Sequence, residues 1–418
     1  MRWYKGILFI FMLVLFCIGQ MLIFPLIDTP RLRSNAAEAV DKIWAQGVNP
    51  EIIGGFAGAR YDNYTSVLII KTAAYTGPET PIQKAFGGFR VEVPIQEDTD
   101  AWGAYCTYED AINIETGGLS YSRYWHGYSL PLRILLCFFT FSNIQLLCYG
   151  LEMLLIMASV ILLYKRGLTA LLPGWCFTLL IMVPAMMGIC IQFVPCMLLF
   201  LCGSVLLLLC KERIDRSIGM GFYFVALGLL TSYFDLLTFP TVTLTIPLLI
   251  LYSMDRHENK THSLLPLCIC WGLGYSLMWS LKWLLNGLTL DASLFGGVLA
   301  QLRLRISSSS NGVQYTRIEA LMGNIRMVFN KPACLLAFSF SLIITLILGC
   351  RRKMSFSRLS SLLLPIGFPL LFMLATANHI YDHGYFTYRN LAGPIFTIFI
   401  FLASLNGGLA DADIKNNN

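Results

Sequence analysis

The sequence predicts an all-α polytopic integral membrane protein of about 10 transmembrane helices, with a long first extracytoplasmic loop containing short helices. Three observations carry that expectation. Of 418 residues 56% are hydrophobic and only 13% charged, about half the charged fraction of a soluble domain. Apolar runs of spanning length recur with few charges after residue 130. Lysines and arginines gather in alternate short loops, as in a multi-pass chain. Those loops account for the formal charge of +6, which is no sign of a nucleic-acid partner. The 13 cysteines, all but Cys106 inside apolar runs and without metal-type spacing, read as small hydrophobes.

Residues 1–27 are expected to form the first transmembrane helix. Arg2 and Lys5 lead an apolar run over 6–26, about the 20 residues a bilayer needs. A signal peptide is the alternative, but Phe24, Pro25, Leu26 and Ile27 stand where a small-residue cleavage box belongs. The run therefore reads as a retained anchor. Residues 28–129 form the long extracytoplasmic loop. Helical spacing over 35–46 predicts an amphipathic helix, and a second is expected over 67–74. Between them lie Gly54, Gly55 and Gly58, then the cluster Arg60, Tyr61, Asp62, Asn63, Tyr64 and Thr65. Residues 77–118, rich in Gly, Pro and acids, read as an ordered loop without its own core. Tyr121 to Tyr128 form an aromatic belt that includes Arg123 and His126, suited to a half-wet interface.

Residues 130–287 hold a juxtamembrane helix over 130–141 and transmembrane helices 2–7, at 143–164, 168–187, 190–210, 217–234, 238–253 and 264–286. Pro173, Pro184 and Pro195 predict broken helices in 168–210. Residues 288–332 form a second extracytoplasmic loop. Residues 333–418 carry helices 8–10, at 333–350, 359–377 and 390–406, and a cytoplasmic tail.

The basic side carries Lys165, Arg166, Lys211, Arg213, Arg216, Arg256, Lys260, Arg351, Arg352, Lys353 and Arg358. By the positive-inside rule that side is cytoplasmic, so both termini are expected inside a plasma membrane. Asp62, Arg123, His126, Asp235, Arg303, Arg305, Arg317, His379, Asp382, His383 and Arg389 then share the outer face, and Cys106 is expected to be open to labelling from outside.

The stretch from Asn378 to Arg389 is the centre of the functional reading. It sets His379, Asp382, His383 and Arg389 between two apolar runs, where ionisable groups need a surface or a wet cavity. A solvated hairpin is one reading, and a site for an anionic substrate the other. Arg389 is either a snorkelling anchor or a bidentate phosphate clamp. His379 and His383 stand at i, i+4, the spacing of a zinc pair, but no Glu follows the first and Gly384 adjoins the second. No cofactor is expected. Asp62 is either a cap or a general base whose partial desolvation suits it to take a hydroxyl proton. Asp235 is either a cap or a ligand for a sugar hydroxyl. Glu152, inside a span, is expected to face a neighbouring helix. Tyr61, Tyr64, Tyr124, Trp125 and Tyr385 offer flat faces to sugar rings.

One anchor, a long outer loop with an early acid, a juxtamembrane helix and paired spans with polar outer ends resemble the GT-C class of glycosyltransferases. The strings Asp62-Asn63-Tyr64-Thr65, Arg123-Tyr124-Trp125-His126-Gly127-Tyr128 and His383-Gly384-Tyr385-Phe386-Thr387-Tyr388-Arg389 are similar to those of bacterial surface-polysaccharide proteins. The resemblance implies sugar transfer from a polyprenyl-phosphate donor to a glycan or lipid-linked acceptor outside the membrane. It also implies that Asp62 is the base, with Arg389, His379, His383, Asp382, Asp235, Arg123, His126 and Tyr64 binding substrate. Many members double the acid where this chain has Asn63, which leaves Asp100, Glu109 and Asp110 as alternative bases. A lipid-linked glycan flippase, a small-molecule transporter, a polysaccharide polymerase or ligase, and a non-catalytic scaffold are the rival readings.

Overall fold

The computed structural model describes residues 2–92, 101–108, 117–257, 262–290, 300, 303–310, 312–348 and 360–405. Asp100, Glu109, Asp110, Lys260 and the basic residues of 351–358 lie outside them. The described residues are mostly helical, with two short antiparallel ladders. Five helices are long and apolar enough to cross a membrane, and a sixth arises if one pair bent by 78° counts as a single span. The sequence predicts about 10 spans. The remaining apolar helices, Thr169–Met182, Met220–Phe234, Val242–Asp255 and Leu363–Ala375, are shorter, cut by prolines and tight turns.

Helix α1 (Arg2–Ile23) is the first of the five, extended to Leu26 by a 3-10 turn. Helix α2 (Pro30–Gln46) begins earlier than its apolar periodicity suggests. Thr29 caps it by accepting from Leu32 N (3.1 Å), and Pro30 suits the first turn. Helices α3 (Asn63–Ala73), α4 (Pro81–Gly87) and α5 (Ala101–Cys106) follow, with strands β1 (Phe89–Arg90) and β2 (Leu119–Ser120) pairing antiparallel. Leu32, Ala36, Val40 and Ile43 of α2 pack against Val67 and Ile70 of α3 and Leu132 and Leu136 of α6 (Ser129–Leu136). Cys106 is buried in this layer at 3% exposure, so the expected labelling from outside is corrected: the thiol is packed, not presented. Arg133 of α6, fully buried, binds the layer to the bundle. It donates to Ile27 O at the end of the first span and to Ala73 O (3.1 Å) and Tyr75 O (2.9 Å) after α3.

Helix α7 (Phe141–Lys165) is the second helix long and apolar enough to cross a membrane. Helices α8 (Leu172–Met182), α9 (Pro184–Met187) and α10 (Val194–Ser217) come from the proline-rich stretch, which is broken as the prolines predict. A residue before proline is pushed out of the right-handed helical region, and Val183 takes φ 54° and ψ 71°. That break frees the carbonyls of Ile181 and Met182.

Helix α11 (Met220–Phe234) packs backbone to backbone against α13 (Leu264–Thr289), with α12 (Val242–His257) between them in sequence. A Cβ on Gly274 would lie 2.0 Å from Val225 O, and one on Gly228 would lie 2.0 Å from Trp271 O. Small residues allow such an approach between helices in lipid. Gly274→Ala should therefore lower stability by about 1–3 kcal/mol, read as thermal unfolding in detergent. Gly272→Ala, where a Cβ meets nothing within 4 Å, is the matched control. Equal melting of the two variants would remove the close-packing argument.

Strands β3 (Ser309–Ser310) and β4 (Val313–Gln314) precede the bent pair α14 (Arg317–Val328) and α15 (Pro332–Leu348). Helix α16 (Leu363–Ala375), the short helices α17 (Ala377–Asp382) and α18 (Gly384–Thr387), and α19 (Ala392–Leu405) complete the described chain. At one end of the bundle Arg166 donates to Leu208 O (2.7 Å), Lys211 pairs with Asp255 (2.6 Å), and His262 Nδ1 meets Asp255 Oδ2 (2.7 Å). At the opposite ends of α10 and α12, Phe193 meets Phe386 (5.6 Å between rings) and Thr241 Oγ1 donates to Asn390 Oδ1 (2.7 Å). The described basic ends and the 378–389 stretch thus occupy opposite ends of the bundle.

Candidate functional site

The 378–389 stretch is not a solvated hairpin. Within it only Tyr381 and Asp382 are exposed. Its polar groups are matched from several elements. Asn324 donates to Ile380 O (2.8 Å) and accepts from Thr387 Oγ1 (2.8 Å), and Asn378 donates to Ser309 O (3.0 Å). Tyr388 OH donates to Ile181 O (2.7 Å), and Arg389 Nε donates to Met182 O (2.8 Å). These are the two carbonyls freed at the α8–α9 break.

Arg389 also donates to Tyr385 O (3.2 Å) and, from Nη2, to Gly58 O (2.9 Å), and its guanidinium lies 4.9 Å from the Phe193 ring centroid. It is 1% exposed. The clamp reading of Arg389 is corrected on that ground: its fork points at backbone carbonyls, which need a donor where water is excluded. The same contact does bring the early loop onto the late stretch, as a shared outer site requires.

Asp62 stands at that junction. Its Oδ1 accepts from Thr65 N (3.2 Å) and caps α3, so the bland reading of this residue holds locally. Capping does not exhaust it. Gln192 and Tyr385 are close enough to pull the carboxyl down, as Thr65 does, but burial outweighs them and pushes it above the usual carboxylate range. Gln192 Nε2 further donates to Asp62 O (3.1 Å), and Ser66 Oγ donates to the same oxygen (3.0 Å). The Arg60 guanidinium lies over the Tyr385 ring at 5.4 Å. The carboxylate is thus rigid, proton-avid and next to a phenol.

A second cluster adjoins it. The His383 ring centroid is 6.5 Å from that of Tyr385 and 4.8 Å from that of His379. His379 Nε2 lies 2.6 Å from Leu237 O and Nδ1 lies 2.7 Å from Arg305 Nη1. A carbonyl only accepts and a guanidinium only donates, so Nε2 carries the proton and Nδ1 accepts. Burial and then Arg305 hold His379 well below the ordinary imidazole range, and the same causes bring His383 down to about 4. Both ring nitrogens of His379 are thus engaged within the protein, which leaves it no free proton for the substrate binding that the resemblance implies. Half-buried His383 is the imidazole a ligand can reach.

Asp235 shapes this cluster from beneath. It accepts from Thr238 N (3.0 Å) and from Thr238 Oγ1, closing the turn in which Leu237 takes φ 65°. Burial raises its carboxyl to about 6. It is a cap, as one reading held, but of this turn rather than of α12. Through Leu237 O it orients His379.

The other expected ligands fall elsewhere. His126, 1% exposed, has Nε2 on Tyr121 O (2.8 Å) and Nδ1 on Tyr128 OH (2.7 Å). Burial lowers it to about 3, so it is an internal tie rather than a ligand. Tyr64 is exposed and stacks one face on Tyr105 (4.2 Å, 5°). Asp382 is exposed on the rim. Arg123 lies over the Tyr121 ring at 4.4 Å. Arg317 donates to Leu374 O (2.9 Å) and Ile306 O (2.9 Å). Among the described residues no three His, Cys, Asp or Glu side chains group as a metal set. Gln192 and the Arg305–His379 pairing are the members that sequence reading missed. Gln192 sits in an apolar run beside a helix break, which was their one signal.

No family model, no curated protein and no solved structure matches the chain.

Proposed function

We propose that this chain is a membrane glycosyltransferase that moves a sugar from a polyprenyl-phosphate donor to a glycan or lipid-linked acceptor on the extracytoplasmic face. One observation carries the reading: a buried, proton-avid carboxylate, Asp62, is held against Tyr385 on the stretch whose other end meets Arg305. In this chemistry the acceptor hydroxyl gives its proton to the Asp62 carboxylate as its oxygen bonds to the anomeric carbon. The bond from that carbon to the phosphate oxygen breaks, and the polyprenyl phosphate leaves with one more negative charge. Preorganised cations stabilise such a charge better than water does. Arg305 and Arg123 are the cations in place for it, and they replace Arg389 in that role. His383 sits between the two ends. The test is transfer of labelled sugar from a purified polyprenyl-phosphate donor by the purified chain. No transfer from any such donor would end the proposal.

The reading takes the shorter apolar helices and the bent pair as crossings too, with both termini cytoplasmic and the 28–129 and 288–332 segments outside a plasma membrane. A cysteine replacing exposed Glu38 of α2 should then react with an impermeant maleimide in intact cells, and one replacing Lys353 only after lysis. Labelling of the second from outside would reverse the orientation. A transporter is the second reading, favoured by Glu152. It lies in α7 at 2% exposure, and its Oε1 has no hydrogen-bond partner among the described residues. Lipid-linked glycan crossing proteoliposomes without transfer would select it.

A further inference from the structure

One face of α13 carries Trp271, Tyr275, Trp279 and Trp283 at steps of four residues. Helical geometry puts them in one stripe. Their rings contact in sequence, Trp271 on Tyr275 at 5.0 Å, Tyr275 on Trp279 at 6.5 Å and Trp279 on Trp283 at 5.3 Å. The stripe is neither core nor plain lipid-facing surface. Trp271 is buried, the next three rings are half-buried, and the exposed positions of the helix include Leu273, Ser276, Leu277 and Ser280. Trp271 touches Phe368 of α16 edge-on (5.7 Å), and α12 packs against both α13 and α16. Beside Phe368, a Cβ on Gly367 would meet nothing within 4 Å. The stripe thus begins against α12, where Trp271 Nε1 donates to Thr243 Oγ1 (3.1 Å), and among the described residues there is open space beside Phe368 at Gly367.

Its upper part reaches the cations. Trp279 meets Tyr124 (5.6 Å), the neighbour of Arg123, and Tyr275 lies within electrostatic reach of Asp235 beneath His379. Arg123 lies over Tyr121 (4.4 Å), whose ring is 5.7 Å from that of Tyr124, and Arg305 donates to His379 (2.7 Å). An apolar ring lane within the membrane that ends at two guanidiniums matches a molecule with one long chain and one anionic head. A diacyl lipid has two chains for a lane one ring wide, and a free phosphate has no use for the rings.

We infer that the α13 stripe is the lane for the chain of a single-chain isoprenoid phosphate, with its phosphate at Arg123 and Arg305. This deepens the transferase reading and rests on it for the donor's identity. From that position the phosphate lies two rings, His379 and His383, from Tyr385 and Asp62.

The test is equilibrium binding of a long-chain polyprenyl monophosphate to the purified full chain in detergent. Polyprenol, inorganic phosphate and phosphatidylglycerol serve as competitors. Saturable binding is expected, with polyprenol and phosphatidylglycerol each competing at least roughly tenfold more weakly, and inorganic phosphate not competing. Arg305→Gln, and separately the pair Trp279→Ala with Trp283→Ala, should each weaken binding by roughly tenfold. Trp3→Ala, at an exposed ring on α1, should not. Should the paired variant fail to fold, a diazirine-bearing polyprenyl monophosphate on the wild-type chain gives the answer: cross-links should map to α13. Equal binding of polyprenol, equal binding of phosphatidylglycerol, displacement by inorganic phosphate, or cross-links confined to other helices would each overturn the lane. Binding on the lane without any sugar transfer leaves it standing and removes the transferase reading. Transfer with an unchanged donor KM in the paired variant does the reverse.

Discussion

Asp62→Asn should abolish sugar transfer while the chain still folds. Asparagine also caps helices well, so the bond from Thr65 N survives and α3 keeps its first turn. What is lost is the proton acceptor. Removing a general base lowers turnover by about 10² to 10⁴, and the loss should fall on kcat with donor KM little changed. The sign of the pH dependence follows from burial. The folded carboxyl is raised above its ordinary range, so a larger share is protonated and idle at mildly acid pH. Wild-type transfer should climb with pH through that raised ionisation, and residual transfer by the variant should lack this limb. The measurement is initial rate against pH at saturating donor. Near-wild-type turnover in Asp62→Asn would move the base to another acid of the first loop.

Arg389→Ala should cost stability before it costs affinity. Three carbonyls, of Met182, Tyr385 and Gly58, lose their donor in a region closed to water. Leaving buried carbonyls unpaired costs about 1–3 kcal/mol apiece, though such terms do not add simply. A drop of about 3 kcal/mol or more is the expectation. Arg389→Lys should rescue little, because one ammonium does not span acceptors that a planar fork reaches together. The check is thermal unfolding and monodispersity of the detergent-solubilised variants. A variant that melts like the wild type but shows a raised donor KM would return Arg389 to the phosphate.

The long apolar helices were legible because their signal is local. A run such as 143–164 declares a span by composition, and the structure adds only its ends, Phe141 and Lys165. Pro184 was likewise enough to expect a break. What the chain could not disclose is which distant donor answers that break. Arg389 reads as a free cation in sequence because the carbonyls it serves carry no side-chain signature. His379 offers two open nitrogens in sequence, and only the fold brings Arg305, 74 residues away, to one of them and Leu237 to the other. Asp62 was found by its place early in a polar loop. Its companion Gln192, 130 residues on, was invisible because a lone amide in an apolar run looks like noise.

The α8–α9 break has a consequence for biosynthesis. Tyr388 and Arg389 lie 207 residues beyond the carbonyls they satisfy. A ribosome releases those residues long after the broken segment has left the translocon. Until then the Ile181 and Met182 carbonyls have neither of these donors, and unpaired backbone is not tolerated in hydrocarbon. The nascent chain must keep that segment wet, lipid-headgroup-bound or chaperoned while the rest is made. Closure of this face is therefore a late event of assembly, and a chain stalled before residue 388 carries an open seam that quality-control proteases can recognise.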